Sequence, residues 1–193
     1  MHIVDILLLV IKSEPREELR GRTLLQKKIY FLSVLLKENF GFSAHYYGPY
    51  SSFVAEHLDG LVNYGVIKEV TESFTTALVE RNTFGEIRRH TYSLTDDAAE
   101  IWEATQQKPE FQEWNEALQS INERKISQNF NMLSIAAKVH YIISWQGQST
   151  IEEVKQIAEE YGWDVDEDDI ENVLSFLKEL GLVTTDESDD IPF

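Results

Sequence analysis

After Gly65 the apolar period of this chain changes from helical to alternating, and that switch restricts the fold more than any other feature. Before it, apolar residues recur every three to four positions; after it, residues 66–70, 77–81 and 87–94 read as short strands, the last two joined by the Gly-containing turn 82–86. Upstream, residues 2–12 (HIVDILLLVIK) form a short buried helix, and 13–22 a charged connector with the breakers Pro15 and Gly21. Thr23 is the expected cap of a helix that ends at Gly41. Its residues Leu24, Leu25, Ile29, Phe31, Leu32, Leu35 and Leu36 cover more than one stripe, so it belongs in the middle of a core. Ser51 or Ser52 caps a third helix with apolar positions Phe53, Val54, Leu58, Leu61 and Val62, closed at Gly65. Three helices followed by a β-hairpin give an α+β, mainly α fold, a winged helix-turn-helix with a β-hairpin wing. A trailing helix starts after Thr95.

The remainder adds a second, wingless C-terminal helical module. Residues 109–124 form an amphipathic helix with Phe111, Trp114, Leu118 and Ile121 on one face, and 125–131 a polar linker. Residues 132–145 are helical. Ser149 with Glu152 matches a capping box for a helix to Tyr161, and 168–180 form the next helix, ended by Gly181 before a short strand at 182–183. LDGLVNYGVI (58–67) and LSFLKELGLV (174–183) share Leu-x-x-Leu, then Gly, then two apolar residues. The expected division is a winged-helix domain over 1–105, a connecting helix and linker over 106–131, the helical module over 132–185 and a flexible acidic tail over 186–193.

Charge decides which partners are compatible. The net charge is −17, and residues 151–193 hold two Lys/Arg against fifteen Asp/Glu, whereas residues 1–50 hold seven against five. Such a chain is repelled by nucleic acid and anionic membrane at long range. Its longest apolar run, residues 3–11, is interrupted by Asp5 and falls short of the ~20 residues needed to span a bilayer. The absence of cysteine excludes disulfides and thiolate zinc sites. A cytoplasmic protein is expected.

No motif carries chemistry. The acidic run 164–171 places Asp164, Asp166 and Asp168 at alternate positions, but Asp169 and Ser175 stand where a calcium loop requires Gly and Glu. It reads instead as an acidic helix start. His2, His45, His57, His90 and His140 have no metal-ligand spacing, and phosphate loops, dinucleotide fingerprints and nucleophile elbows are absent. Neither catalytic residues nor a cofactor or metal site is expected. Arg16, Arg20, Arg22, Lys28, Arg81, Arg88 and Arg89, with Lys27, form a candidate basic face for nucleic acid. Against this, the third helix (51–64), the one that would enter the major groove, has no Lys or Arg and carries Glu56 and Asp59.

The most distinctive cluster is aromatic: Tyr46, Tyr47, Tyr50 and Phe53 around Gly48–Pro49. Tyrosines beside a rigid Gly-Pro make either a helix-orienting wedge or a contact surface of the kind enriched in protein interfaces.

LLQKKIYFL (24–32) and YYGPYSSFVAEHLDGLVNYGVI (46–67) together resemble the Panacea family of antitoxin-associated domains and the related YwgA-like proteins. The matching residues are Leu25, Gln26, Lys27 and Tyr30, then Tyr47, Gly48, Pro49, Tyr50 and Ser51, then Leu61 and Gly65; Tyr92–Thr95 resembles the family's Tyr-Ser-Leu-Thr strand end. The resemblance covers residues 1–105, and the acidic C-terminal half departs from it. It implies a prokaryotic protein that neutralises a toxin by direct binding, or an accessory of a defence or regulatory cassette. The expected partner is a protein, such as a toxin or another product of a neighbouring gene. A second copy of the chain is an alternative, DNA is disfavoured and membrane is not expected. The expected contact surface is Tyr46, Tyr47, Gly48, Pro49, Tyr50 and Ser51, with Gln26, Lys27 and Tyr30 beside it.

Overall fold

The computed structural model describes residues 1–73, 88–184 and 190–191. The expected strand 77–81, its turn 82–86 and most of the tail lie outside these residues. The described chain is α+β and mainly helical. In order it comprises α1 (Ile3–Lys12), β1 (Glu18–Arg20), α2 (Arg22–Leu35), α3 (Ser52–Asn63), β2 (Ile67–Ser73), β3 (Arg88–Leu94), α4 (Ala99–Gln106), α5 (Phe111–Asn122), α6 (Lys125–Gln128), α7 (Phe130–Gln146), β4 (Ser149–Thr150), α8 (Ile151–Glu160), α9 (Glu167–Glu179) and β5 (Asp190–Ile191). No helix among the described residues is long and apolar enough to cross a membrane.

Asp5, the interruption in the first apolar run, holds two elements together. Its carboxylate closes a capping box with His2 at the start of α1, and accepts from Thr105 Oγ1 at 2.7 Å and Lys108 Nζ at 2.5 Å. A buried carboxylate needs such donors, and these tie α1 to the end of α4.

The connector expected at 13–22 contains a strand. β1 pairs antiparallel with β3, which also pairs with β2, giving the order β1-β3-β2. Only Leu19 of β1 is buried, and its partner across the ladder is the buried Tyr92. One apolar residue between Glu18 and Arg20 leaves no alternation to read, so pairing, not pattern, creates this strand. The sheet positions the helices through one polar network. Arg22 Nε donates to Tyr92 Oη at 3.1 Å, Tyr92 Oη donates to Glu69 Oε1 at 2.6 Å, and Arg22 Nη2 meets Asp59 Oδ1 of α3 at 2.6 Å.

Helix ends differ from expectation in instructive places. α2 begins after Gly21 (φ +102), not at a Thr23 cap, and stops at Leu35, well before Gly41. Ser51 does cap α3, accepting from Val54 N at 3.1 Å, and Gly65 (φ +76) ends it. Thr95 takes the N-cap position of the short 3-10 turn Asp96–Ala98 that leads into α4, but its side chain makes no capping bond. Its hydroxyl donates to the Gly65 and Val66 carbonyls, fastening the end of β3 to the end of α3. In the C-terminal half the capping box is Thr150 with Glu153, one residue later than the Ser149–Glu152 reading. Leu182–Val183 form no strand; β4 pairs with β5, so this half is not strandless.

The halves share one core. α7 is buried without interruption from Leu133 to Ile143 and packs on α2 and α9. Phe31 of α2 and Phe176 of α9 meet edge-to-face at 5.3 Å. The expected linker 125–131 is instead α6 and the first turn of α7, and Arg124 docks it by donating to Glu179 Oε2 at 3.1 Å and the Glu179 carbonyl at 2.9 Å. One continuous apolar cluster runs from Ile3 to Val183.

A shared core predicts joint unfolding. Leu133→Ala should cost about 2–5 kcal/mol, and tryptophan fluorescence and backbone circular dichroism should lose their native signals at the same denaturant concentration. Two separated transitions would show that the halves fold independently.

Candidate functional site

The segment between α2 and α3 is held from every side. Ser43 and Tyr50 exchange backbone hydrogen bonds at 3.0 and 2.9 Å, and Gly48 N donates to the His45 carbonyl at 2.8 Å, closing a tight loop. Gln26 of α2 pairs with both backbone groups of Ser51: Nε2 donates to the carbonyl and Oε1 accepts from the amide, each at 3.0 Å. Lys27 Nζ donates to the Pro49 carbonyl at 2.6 Å. From the other half, Ser134 Oγ of α7 donates to the Tyr47 carbonyl at 3.1 Å, and Trp163 Nε1 donates to the His45 carbonyl at 2.7 Å. The Gly-Pro-Tyr-Ser turn is thus fixed by backbone recognition from α2, α7 and the residues after α8.

This corrects the expected contact surface. Gln26, Lys27, Tyr30, Gly48, Pro49 and Ser51 are buried, with the Gln26 and Lys27 side chains each only 1% exposed. Buried polar groups require partners, and theirs lie inside the chain. Tyr47 and Tyr50 are half-buried, and Tyr46 is the well-exposed member of that expected surface, at 64%. Gly48 has φ +92, and a Cβ there would approach Lys138 Cγ at 3.0 Å and Lys27 Nζ at 3.3 Å. The glycine is required both by its backbone and by the two lysines packed under it.

Those lysines dominate the electrostatics. Burial, with the charge of Lys138 beside it, lowers the Lys27 pKa to about 7. Burial also lowers that of Lys138, against the pull of Asp164 and Asp169, and its ammonium lies 5.8 Å from the Trp163 ring centroid. Two residues along α7 from Lys138, His140 Nδ1 lies 2.8 Å from Tyr30 Oη of α2; burial raises the phenol pKa and lowers that of the imidazole to about 4.

Two members of the expected basic face, Lys28 and Arg22, are engaged within the chain. Lys28 is buried in an ion pair with Glu14 and donates to Asn122 Oδ1 at 2.8 Å. Burial works against the charge of Arg22, but its bonds to Tyr92 and Asp59 outweigh that and raise its pKa. Arg16, Arg20 and Arg89 are exposed; the Arg88 side chain and Arg81 lie outside the described residues.

What the sequence did not disclose is an aromatic surface across the seam of the halves. Tyr141 is its hub, with ring centroids 6.2 Å from Trp145, 6.4 Å from Tyr161 and 6.2 Å from Trp163. Trp145 is 75% exposed and Tyr161 44%. Phe40, Phe42, Tyr141 and Trp145 wall a cleft of about 250 Å3 whose floor includes Tyr30 and His140. The available signal was Trp145 near the end of an otherwise buried helix, followed by Tyr161-Gly-Trp163. Among the described residues no three His, Asp or Glu side chains are grouped to hold a metal ion. No family model matches the chain, and neither does any curated protein.

Two outcomes follow for the clamp. Gly48→Val should destabilise the protein by a few kcal/mol; an unchanged thermal melt would contradict the clash with Lys138. Lys27 ionises near 7 when folded and 10.5 as a free side chain. Between those values the unfolded chain binds more protons, so this group makes stability rise with pH. Wild type should therefore gain on Lys27→Met in denaturation midpoint from pH 7 to 10. A constant difference would contradict it.

Proposed function

We propose that this chain is a non-enzymatic regulator that acts by binding another protein, in the manner implied by its resemblance to Panacea and YwgA-like antitoxin-associated domains. The observation that carries this reading is the exposure of Trp145, Tyr161 and Tyr46 around the seam between the halves. Aromatic side chains left in water beside a packed ring cluster are the usual anchors of protein interfaces. The proposed scaffold is a winged helix-turn-helix. The order α1, β1, α2, α3, β2, β3, with β1 on the outer side of β3, supports it, and α7, β4, α8, α9 repeat its first four elements. The proposed partner is a toxin or another product of a neighbouring gene in a prokaryotic cytoplasm.

Duplex DNA is the second reading, through Arg16, Arg20 and the exposed Arg89. It is weakened by α3, which has exposed Glu56 and Asp59 and no Lys or Arg, and by the internal engagement of Arg22 and Lys28. Phosphate binding needs several cations on one face.

The test is co-expression with the neighbouring gene product. A complex that co-elutes in gel filtration, and is weakened by Tyr161→Ala combined with Tyr46→Ala, is the expected result. Duplexes from the gene's upstream region should bind only on the order of 10⁻⁴ to 10⁻⁶ M at physiological salt by fluorescence anisotropy. Nanomolar, sequence-dependent binding lost in Arg88→Ala with Arg89→Ala would replace the first reading with the second.

A further inference from the structure

The cleft beside the clamp has a chemistry of its own. It lies between the end of α2 with the residues after it and the last turns of α7, and it encloses about 250 Å3. Phe40, Phe42, Tyr141 and Trp145 form its walls, and Glu38 stands at its edge. Among the described residues that line it, Glu38 is the one acidic side chain and none is Lys or Arg. His140 in its floor adds no positive charge near neutral pH, because burial lowers its pKa to about 4. The cleft is therefore aromatic and anionic. A planar or compact cation gains from both features, by stacking on the faces of Trp145 and Tyr141 and by pairing with the Glu38 carboxylate.

We propose that this cleft receives a cationic side chain, an arginine or a lysine, presented by the protein partner. This rests on the protein-binding reading above. Charge complementarity selects the occupant: the chain carries −17, with fifteen acidic against two basic residues in 151–193, so a basic segment is drawn to it and a second copy is repelled. The aromatic surface also continues beyond the cleft to Tyr161, whose ring centroid lies 6.4 Å from that of Tyr141, giving contact area that a small free cation would leave uncovered.

The probe is a fluorescent hexapeptide of alternating arginine and alanine, with a glutamate-for-arginine counterpart, titrated by anisotropy at roughly 0.15 M salt. The arginine peptide should bind and its counterpart should not. Trp145→Ala should weaken binding roughly tenfold, and Glu38→Gln about threefold. Both side chains are exposed, so both variants should fold, which far-ultraviolet circular dichroism checks. Glu100→Gln, on α4, controls for the general acidic field and should change affinity by less than about twofold. Equal losses from Glu100→Gln and Glu38→Gln, or no loss from Trp145→Ala, would overturn the cleft as the site. Tighter binding of spermidine or N-acetyl-arginine amide than of the peptide would overturn the protein-borne occupant. The titration needs no natural complex, so its failure counts against the cleft alone, whereas failure of the neighbouring gene product to co-elute counts against the protein-binding reading.

Discussion

Gln26 and Ser51 exchange two hydrogen bonds of 3.0 Å, and much of the molecule is arranged around that pair. A side-chain amide offers a donor and an acceptor at the spacing of a peptide group, so Gln26 completes the backbone of Ser51 as a neighbouring strand would. That leaves the Ser51 hydroxyl to accept from Val54 N and start α3, while it also donates to the Phe40 carbonyl. One residue is thus linked to α2, to the loop after it and to the first turn of α3. Arg22 and Asp59 provide a second tie between the same two helices. The angle between α2 and α3 is set at both ties by polar contacts.

Placing Lys27 and Lys138 under the turn works against stability, and the packing explains why it is tolerated. Each ammonium is desolvated, and the two repel. The compensation is specific: the Pro49 carbonyl for Lys27, and the Trp163 ring with Asp164 and Asp169 for Lys138. The long aliphatic stems of both lysines fill the space that Gly48 leaves open. The aspartates belong to the acidic run that suggests a calcium loop. Asp166 caps α9, accepting from Asp169 N at 2.8 Å, so the run serves both a helix start and a buried cation.

Strong local periodicity made the helices legible: α1, α3, α5 and α9 fall within a few residues of their expected spans because each shows a helical apolar stripe and a recognisable end. The site was half legible. The turn was singled out together with Gln26, Lys27 and Tyr30, but as a surface; Gln26 and Lys27 bond its backbone from the interior, whereas Tyr30 pairs with His140. A tyrosine or lysine beside Gly-Pro reads the same whether it points into water or into a core, and only the position of α7, more than eighty residues later, decides. β1 was invisible because three residues with one apolar member carry no period. Lys28 looked basic and available until Glu14 and Asn122, from a connector and a distant helix, were folded against it. In each case the missing information was long-range.

The same long-range packing joins the clamp to the aromatic surface. Lys138, Tyr141 and Trp145 are spaced three and four residues apart, so they stack along one stripe of α7. The first packs under Gly48, the second touches Trp163, and the third stands in solvent at the cleft. Trp163 in turn bonds the His45 carbonyl at the start of the turn. The turn and the cleft are therefore successive stations on one helix, buried from Leu133 to Ile143, rather than separate surface features. An exposed indole on a mobile loop would lose entropy on engaging a partner. Held at the end of α7 against Tyr141, with its ring centroid 6.2 Å away, Trp145 has less freedom to lose. The buried clamp and the exposed anchor are then two parts of one arrangement: the polar contacts that seem to squander the most distinctive residues on the interior are what fix the aromatic residues outside it.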